Sequence, residues 1–164
     1  MKEIPLSQGQ VALVDDEDYE RLSLFRWSAL WNVATRSFYA KRNSPRVNGS
    51  QRIVWMARDI LGLQYGDSRQ ADHRLHNTLD NRRYVDGHQN LRIATAKQNT
   101  WNRRKPSSNK TGFKGVMATP YGRYRAFIWL NGKTKCLGSR RTPEEAYALY
   151  CAAAKEHFGD FAHF

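Results

Sequence analysis

ADHRLHNTLDNRRYVDGHQNLR, residues 71–92, holds an Asp-His pair, three Asn, two further His and four Arg, with few apolar side chains to bury. A stretch of this composition is either a solvated loop or a scaffolded site, and its flanks decide which. Downstream, Leu91-Arg-Ile-Ala94 reads as a brief strand, and Thr95-Ala-Lys-Gln98 has the capping-box pattern that opens a helix through Asn102. The outline is strand, long loop, strand, helix. It puts Asp72 and His73 at the end of the first strand, with Asn90 and Asn99 returning on the second strand and the helix.

Upstream, short β-type runs occur at residues 11–14, 26–31, 38–42 and 52–55, the last two separated by Pro45 and an Asn48-Gly49 turn signal. Asp15-Asp16-Glu17-Asp18, followed by Tyr19, Leu22 and Phe25 at helical spacing, predicts a short helix with acidic residues at its positive end rather than a metal site. Residues 55–63 suit a short helix stopped by Gly62. Residues 103–111 are polar, basic and punctuated by Pro and Ser, a linker composition. Beyond them, 116–118, 124–130 and 133–137 alternate as strands, the last two joined by an Asn131-Gly132 hairpin signal. Thr142-Pro-Glu-Glu145 then opens a helix, with Ala146, Leu149, Tyr150, Ala153 and Ala154 along one face.

The 164 residues carry 27 Lys and Arg against 15 Asp and Glu, a net charge of +12, so polyanions are the expected partners and nucleic acid the commonest of them. No run reaches the roughly 18 to 20 apolar residues of a membrane span, and MKEIPLSQGQ lacks the apolar region of a signal peptide. A cytoplasmic, non-secreted protein is expected, with no membrane partner. Cys136 and Cys151 stand apart, so no structural zinc is expected.

Hydrolysis of a phosphodiester needs a base for water, a cation for the charge on the leaving oxygen, and groups that fix both. A carboxylate such as Asp72 suits a hard cation, an imidazole such as His73 suits the base, and Asn oxygens can orient an imidazole or complete a weak metal site. With DNRR, NLRIAT and AKQN following in order, the Asp-His pair resembles the HNH family of DNA endonucleases, and the resemblance covers most of residues 1–102. It implies His73 as general base, Asn90 as the residue orienting it, and Asp72 and Asn99 as ligands of one divalent ion, Mg or Mn. Two departures stand out. His73 and Asn90 are seventeen residues apart where relatives have about twelve, the excess falling at residues 84–88, and Ala57 stands where relatives commonly carry His.

Residues 112–162 resemble the APETALA-type domain of plant ethylene-response factors, through Phe113-Lys-Gly-Val116, Gly122-Arg-Tyr124, Leu137-Gly138, Thr142-Pro-Glu-Glu-Ala146 and the ending Ala152-Ala-Ala154 to Phe158-Gly159. Lys114 and Tyr121 fall where that family contacts DNA. Strand parity places Tyr124, Ala126 and Ile128 on one face and Arg123, Arg125, Phe127 and Trp129 on the other, which could be a DNA face or an interface. Arg103 and Arg104 are candidates for the DNA backbone.

The expected fold is α+β. An HNH nuclease domain with extra strands spans 1–102, its ββα-metal core at about 68–102. A basic linker follows at 103–111, and then a three-stranded antiparallel sheet packed on one helix at 112–164. The expected function is a metal-dependent, homing-type endonuclease acting on double-stranded DNA, with no small-molecule substrate and either monomeric or dimeric. The alternatives are a DNA-binding or regulatory protein on an attenuated nuclease fold and, more remotely, an RNA-binding protein.

Overall fold

The chain begins with a strand that the sequence reading does not anticipate. In the computed structural model, which describes all of residues 1–164, β1 (Lys2–Pro5) pairs antiparallel with β2 (Val11–Val14), turning Ile4, Ala12 and Val14 inward. α1 (Asp16–Ser23) follows and buries Leu22, whose carbonyl accepts the indole N–H of the buried Trp27 at 2.9 Å. Three antiparallel strands come next, β3 (Ser28–Asn32), β4 (Ser37–Asn43) and β5 (Ile53–Trp55), ordered β3-β4-β5. α2 (Met56–Ile60) inserts Met56 and Ile60 into the core beside Ile4, Val14, Leu22, Ala40 and Leu91. Full burial of a side chain such as Leu22 or Met56 contributes about 2–3 kcal/mol.

β6 (Gln70–His73) pairs antiparallel with β9 (Leu91–Ala94), and between them lies a small hairpin, β7 (Tyr84–Val85) with β8 (His88–Gln89). α3 (Ala96–Trp101) starts two residues after β9 ends. The chain divides into two units between Ala96 and Lys97, inside α3. The Trp101 ring of α3 stacks on Phe158 of the second unit at 4.6 Å between centroids.

That second unit is a three-stranded antiparallel sheet, β10 (Val116–Ala118), β11 (Tyr124–Leu130) and β12 (Lys133–Arg140), covered on one face by α4 (Pro143–Phe158). α4 opens with the expected capping box: Thr142 accepts from the Glu145 N–H at 3.2 Å, and the Glu145 carboxylate accepts from the Thr142 N–H at 3.4 Å. Ala126 and Ile128 point inward onto Ala146, Tyr150, Ala153 and Ala154. Gly115 is required where the chain enters β10. Its φ is +72°, and a Cβ there would meet the Tyr150 ring and lie 2.8 Å from the Phe127 carbonyl oxygen. No helix in either unit is long and apolar enough to cross a membrane.

Candidate functional site

Antiparallel pairing of β6 with β9 sets Asp72 opposite Arg92 and His73 opposite Leu91. Both Asp72 and His73 are buried, and the Arg92 Nε donates to Asp72 Oδ2 at 2.8 Å within that buried setting. The His73 ring lies 3.1 Å, Nε2 to Oδ1, from the amide of Asn81, which is 1 % exposed. Asn81 Nδ2 donates to the Leu79 carbonyl at 3.3 Å and faces Met56 Sδ at 3.6 Å, which turns its oxygen toward the imidazole. Asn81 thus presents an acceptor to one ring nitrogen of His73 and fixes the orientation of the imidazole. Burial pushes the His73 pKa below its ordinary 6.5, while the Asn81 hydrogen bond and the Asp72 and Asp80 carboxylates pull it upward.

The partner on the ring is thus Asn81, not Asn90 as expected. Asn90, fully buried, donates through Nδ2 to the carbonyls of Asp80 at 2.9 Å and Arg82 at 3.0 Å. It clamps the turn that carries Asn81 and so acts on His73 one step removed. Asn90 Oδ1 is buried with no hydrogen-bond partner. The excess residues do not disturb this arrangement. They form the β7–β8 hairpin, whose Asp86-Gly87 turn has φ of +50° and +76°, and Asn90 N–H closes it on the Arg83 carbonyl at 2.7 Å. Thus the extra length leaves between Arg83 and Asn90 and returns to the same point.

Elements far upstream hold the same turn. Leu13 in β2 donates to the Leu79 carbonyl at 2.9 Å and accepts from the Asn81 N–H at 2.8 Å. Arg83 donates its backbone N–H to Asp15 at 2.7 Å, and its guanidinium meets Asp18 and Glu17 and reaches the Ile60 carbonyl at 3.1 Å. Asp15, Glu17 and Asp18 bring carboxylate oxygens within 4.8 Å of one another, a spacing that could hold a cation, but Arg83 already occupies that role. Arg82 pairs with Asp80 through two bonds, of 2.8 and 2.6 Å. Asn81 and Arg83 are the residues that sequence reasoning missed. The signal was DNRR itself, whose Asn follows His73 by eight residues.

Asn99 lies half-buried on α3, in the second unit. Ala57 is buried in α2, part of the core and not of the site. His88 is exposed on β8.

In the second unit the sheet face opposite α4 is open. Arg123 and Arg125 are exposed, Trp129 is 52 % exposed and Phe127 half-buried, with Tyr121 at 90 % on the preceding turn. Cys136, register partner of Phe127, is an exposed thiol on the same face. Arg103 and Arg104 are exposed. Lys114 departs from expectation. Its ammonium donates to the carbonyls of Trp101 at 2.8 Å, Arg103 at 2.6 Å and His163 at 3.4 Å, and burial pushes its pKa down to about 8. The ammonium ties these three carbonyls together. Charge is concentrated here: 13 Lys and Arg against 4 Asp and Glu in Lys97–Phe164, compared with 14 against 11 in Met1–Ala96.

Among known proteins, the chain is 40 % identical over 92 residues to an uncharacterized HNH endonuclease of Acanthamoeba polyphaga mimivirus. The similarity takes in 56 % of this chain and 44 % of that protein, so the chain spans less than half the length of the relative it matches. No family model matches the chain, and no solved structure does. The similarity to the viral protein supports an HNH nuclease.

Proposed function

We propose that the chain is a metal-dependent DNA endonuclease, in which the first unit hydrolyses a phosphodiester and the second holds the duplex. The observation that carries this reading is the His73 imidazole, buried next in sequence to the buried Asp72 carboxylate, with its Nε2 3.1 Å from Asn81 Oδ1. His73 takes the proton from the attacking water. Asn81 orients the ring, Asn90 holds the turn carrying Asn81, and Arg83 anchors the turn to α1.

The Asp72 carboxylate is a donor suited to a hard ion that retains several waters, as Mg²⁺ and Mn²⁺ do. Such an ion supplies the positive charge that stabilises the leaving 3′ oxygen. One site makes one cut, so a monomer nicks, and a double-strand break requires a second copy or a second event.

The open face of β11 supports DNA holding by the second unit. It offers Arg125, with Arg123 just before the strand, for phosphates and Phe127 and Trp129 for apolar contact, on the more basic half of the chain. Incubation of supercoiled plasmid with Mg²⁺ or Mn²⁺, with and without chelator, tests the whole reading. Metal-dependent nicking that His73→Ala abolishes is the expected result. Tight binding to a plasmid that stays intact would instead identify a regulatory protein on a nuclease scaffold.

A further inference from the structure

We infer that the β7–β8 hairpin, residues 84–89, reads base identity: Tyr84 and Gln89 contact base edges in the major groove of duplex DNA, within a few base pairs of the bond to be cut. The inference rests on the reading of Asp72 and His73 as a DNA-cutting site.

The hairpin is rooted in the site. Its base is Arg83 and Asn90, closed by the Asn90 N–H to Arg83 carbonyl bond, and both residues are locked by the contacts that hold Asn81 against His73. The next residue, Leu91, is the register partner of His73, and the Asn90 carbonyl accepts from the Arg74 N–H at 2.9 Å. A ribbon leaving from this point departs beside the candidate base.

Core packing does not explain it. Tyr84 is 60 % exposed, residues 86–89 are all exposed and Val85 is half-buried, and none of the six belongs to a core cluster. The strands hold only two register pairs, on a left-handed Asp86-Gly87 turn. Tyr84 and Gln89 are one of those pairs and therefore share a face, with Cβ atoms about 5 Å apart. An amide offers a donor and an acceptor together, as adenine requires in the major groove, and a neighbouring ring suits the thymine methyl. The major groove, about 12 Å wide, admits a two-stranded ribbon.

The charges exclude the simpler role of phosphate clamp. The hairpin has no Lys or Arg and one Asp, and the arginines at its root are engaged, Arg82 with Asp80 and Arg83 with Asp15, Glu17 and Asp18. Its loss should therefore alter sequence preference and leave the salt dependence of binding alone.

The test compares the full chain with the Tyr84→Ala/Gln89→Ala double variant on a randomised duplex pool. Bound duplexes are sequenced in Ca²⁺ and cut duplexes in Mg²⁺. The expected result is an unchanged melting temperature, an unchanged salt slope, and a preference at one or two base pairs that falls about tenfold, the size of a lost bidentate base contact. An unchanged preference in both pools overturns the inference. A wild-type chain that selects sequences but never cuts removes the nuclease reading, and the bound pool alone then decides the hairpin's role. A wild-type chain that selects no sequence overturns the hairpin inference whether or not it cuts.

Discussion

Replacing Asn81 by alanine is the sharpest test of the proposed site, because this residue reaches the chemistry only through His73. Its side chain is 1 % exposed, so it does not touch DNA. Asn81→Ala strips the amide partner from His73 Nε2, leaving that buried ring nitrogen without its hydrogen bond at about 1–3 kcal/mol. The Leu79 carbonyl loses its donor as well, and a void remains beside Met56. Total destabilisation is about 3 kcal/mol, less than the roughly 5–15 kcal/mol of an ordinary domain, so the variant folds. Its catalytic loss should be larger than its stability loss implies. Partners that orient a reactive imidazole are worth about 10–100-fold, and a wrong tautomer can cost about 10⁴-fold. Plasmid nicking under saturating DNA should therefore show kcat lowered by about 100-fold with KM unchanged. Asn81→Asp keeps the acceptor, recovers much of the rate and shifts the acid limb of the pH profile upward, since a carboxylate favours the imidazolium. An Asn81→Ala protein that is folded by circular dichroism and nicks at the wild-type rate would refute the placement of the base.

The remaining predictions follow the other groups of the site and the DNA face. Asp72→Ala should lower the melting temperature sharply, because the buried Arg92 guanidinium loses its carboxylate, a change of about 3–5 kcal/mol for a buried pair. Asp72→Asn keeps an acceptor for Arg92 Nε, so it should melt closer to wild type yet show weaker Mn²⁺ binding by calorimetry. His73 has a folded-state pKa below its unfolded 6.5, so its contribution to stability is complete above that pH and lost as pH falls below it. Melting curves of His73→Gln should lack that part of the acid dependence. Arg123→Ala and Arg125→Ala should each reduce the slope of log affinity on log salt by about 0.9. Bound DNA should also protect the Cys136 thiol from alkylation, and a thiol equally reactive with and without DNA would remove this face from the interface. Gly115→Ala should destabilise the second unit by at least about 2 kcal/mol, since its φ of +72° and the Tyr150 ring both oppose a Cβ.

What the sequence announced and what it hid separate along one physical line. Features fixed by neighbours in sequence were legible: the Thr142 capping box, the Asn131-Gly132 turn and the alternation that sends Ala126 and Ile128 inward and Arg125 and Trp129 outward. β1 was not, since a four-residue strand ending in Pro has no local signature and exists through its pairing with β2. Nor was the direction of Lys114. A lysine on a loop can meet a phosphate or three carbonyls, and only the packing of Trp101 and residue 163 decides.

The candidate site shows the same division more finely. Asp72, His73, Asn90 and Asn99 stand out by residue type and order, but who touches whom depends on β2 and α1, which bond the turn across 65 or more residues of chain. Asn90 stood out as the partner of His73 because it sits where such a partner is expected in the chain. Geometry gives that contact to Asn81, because the turn between Leu79 and Arg83 is pinned by Leu13, Asp15 and Asp18 before Asn90 is reached. The same pinning explains why residues 84–89 are tolerated. A chain that leaves and re-enters through one hydrogen-bonded pair, Arg83 with Asn90, transmits none of its extra length to β9. Closing such a hairpin costs only the loop entropy of a few residues, so the excess is an addition beside a fixed site and not a distortion within it.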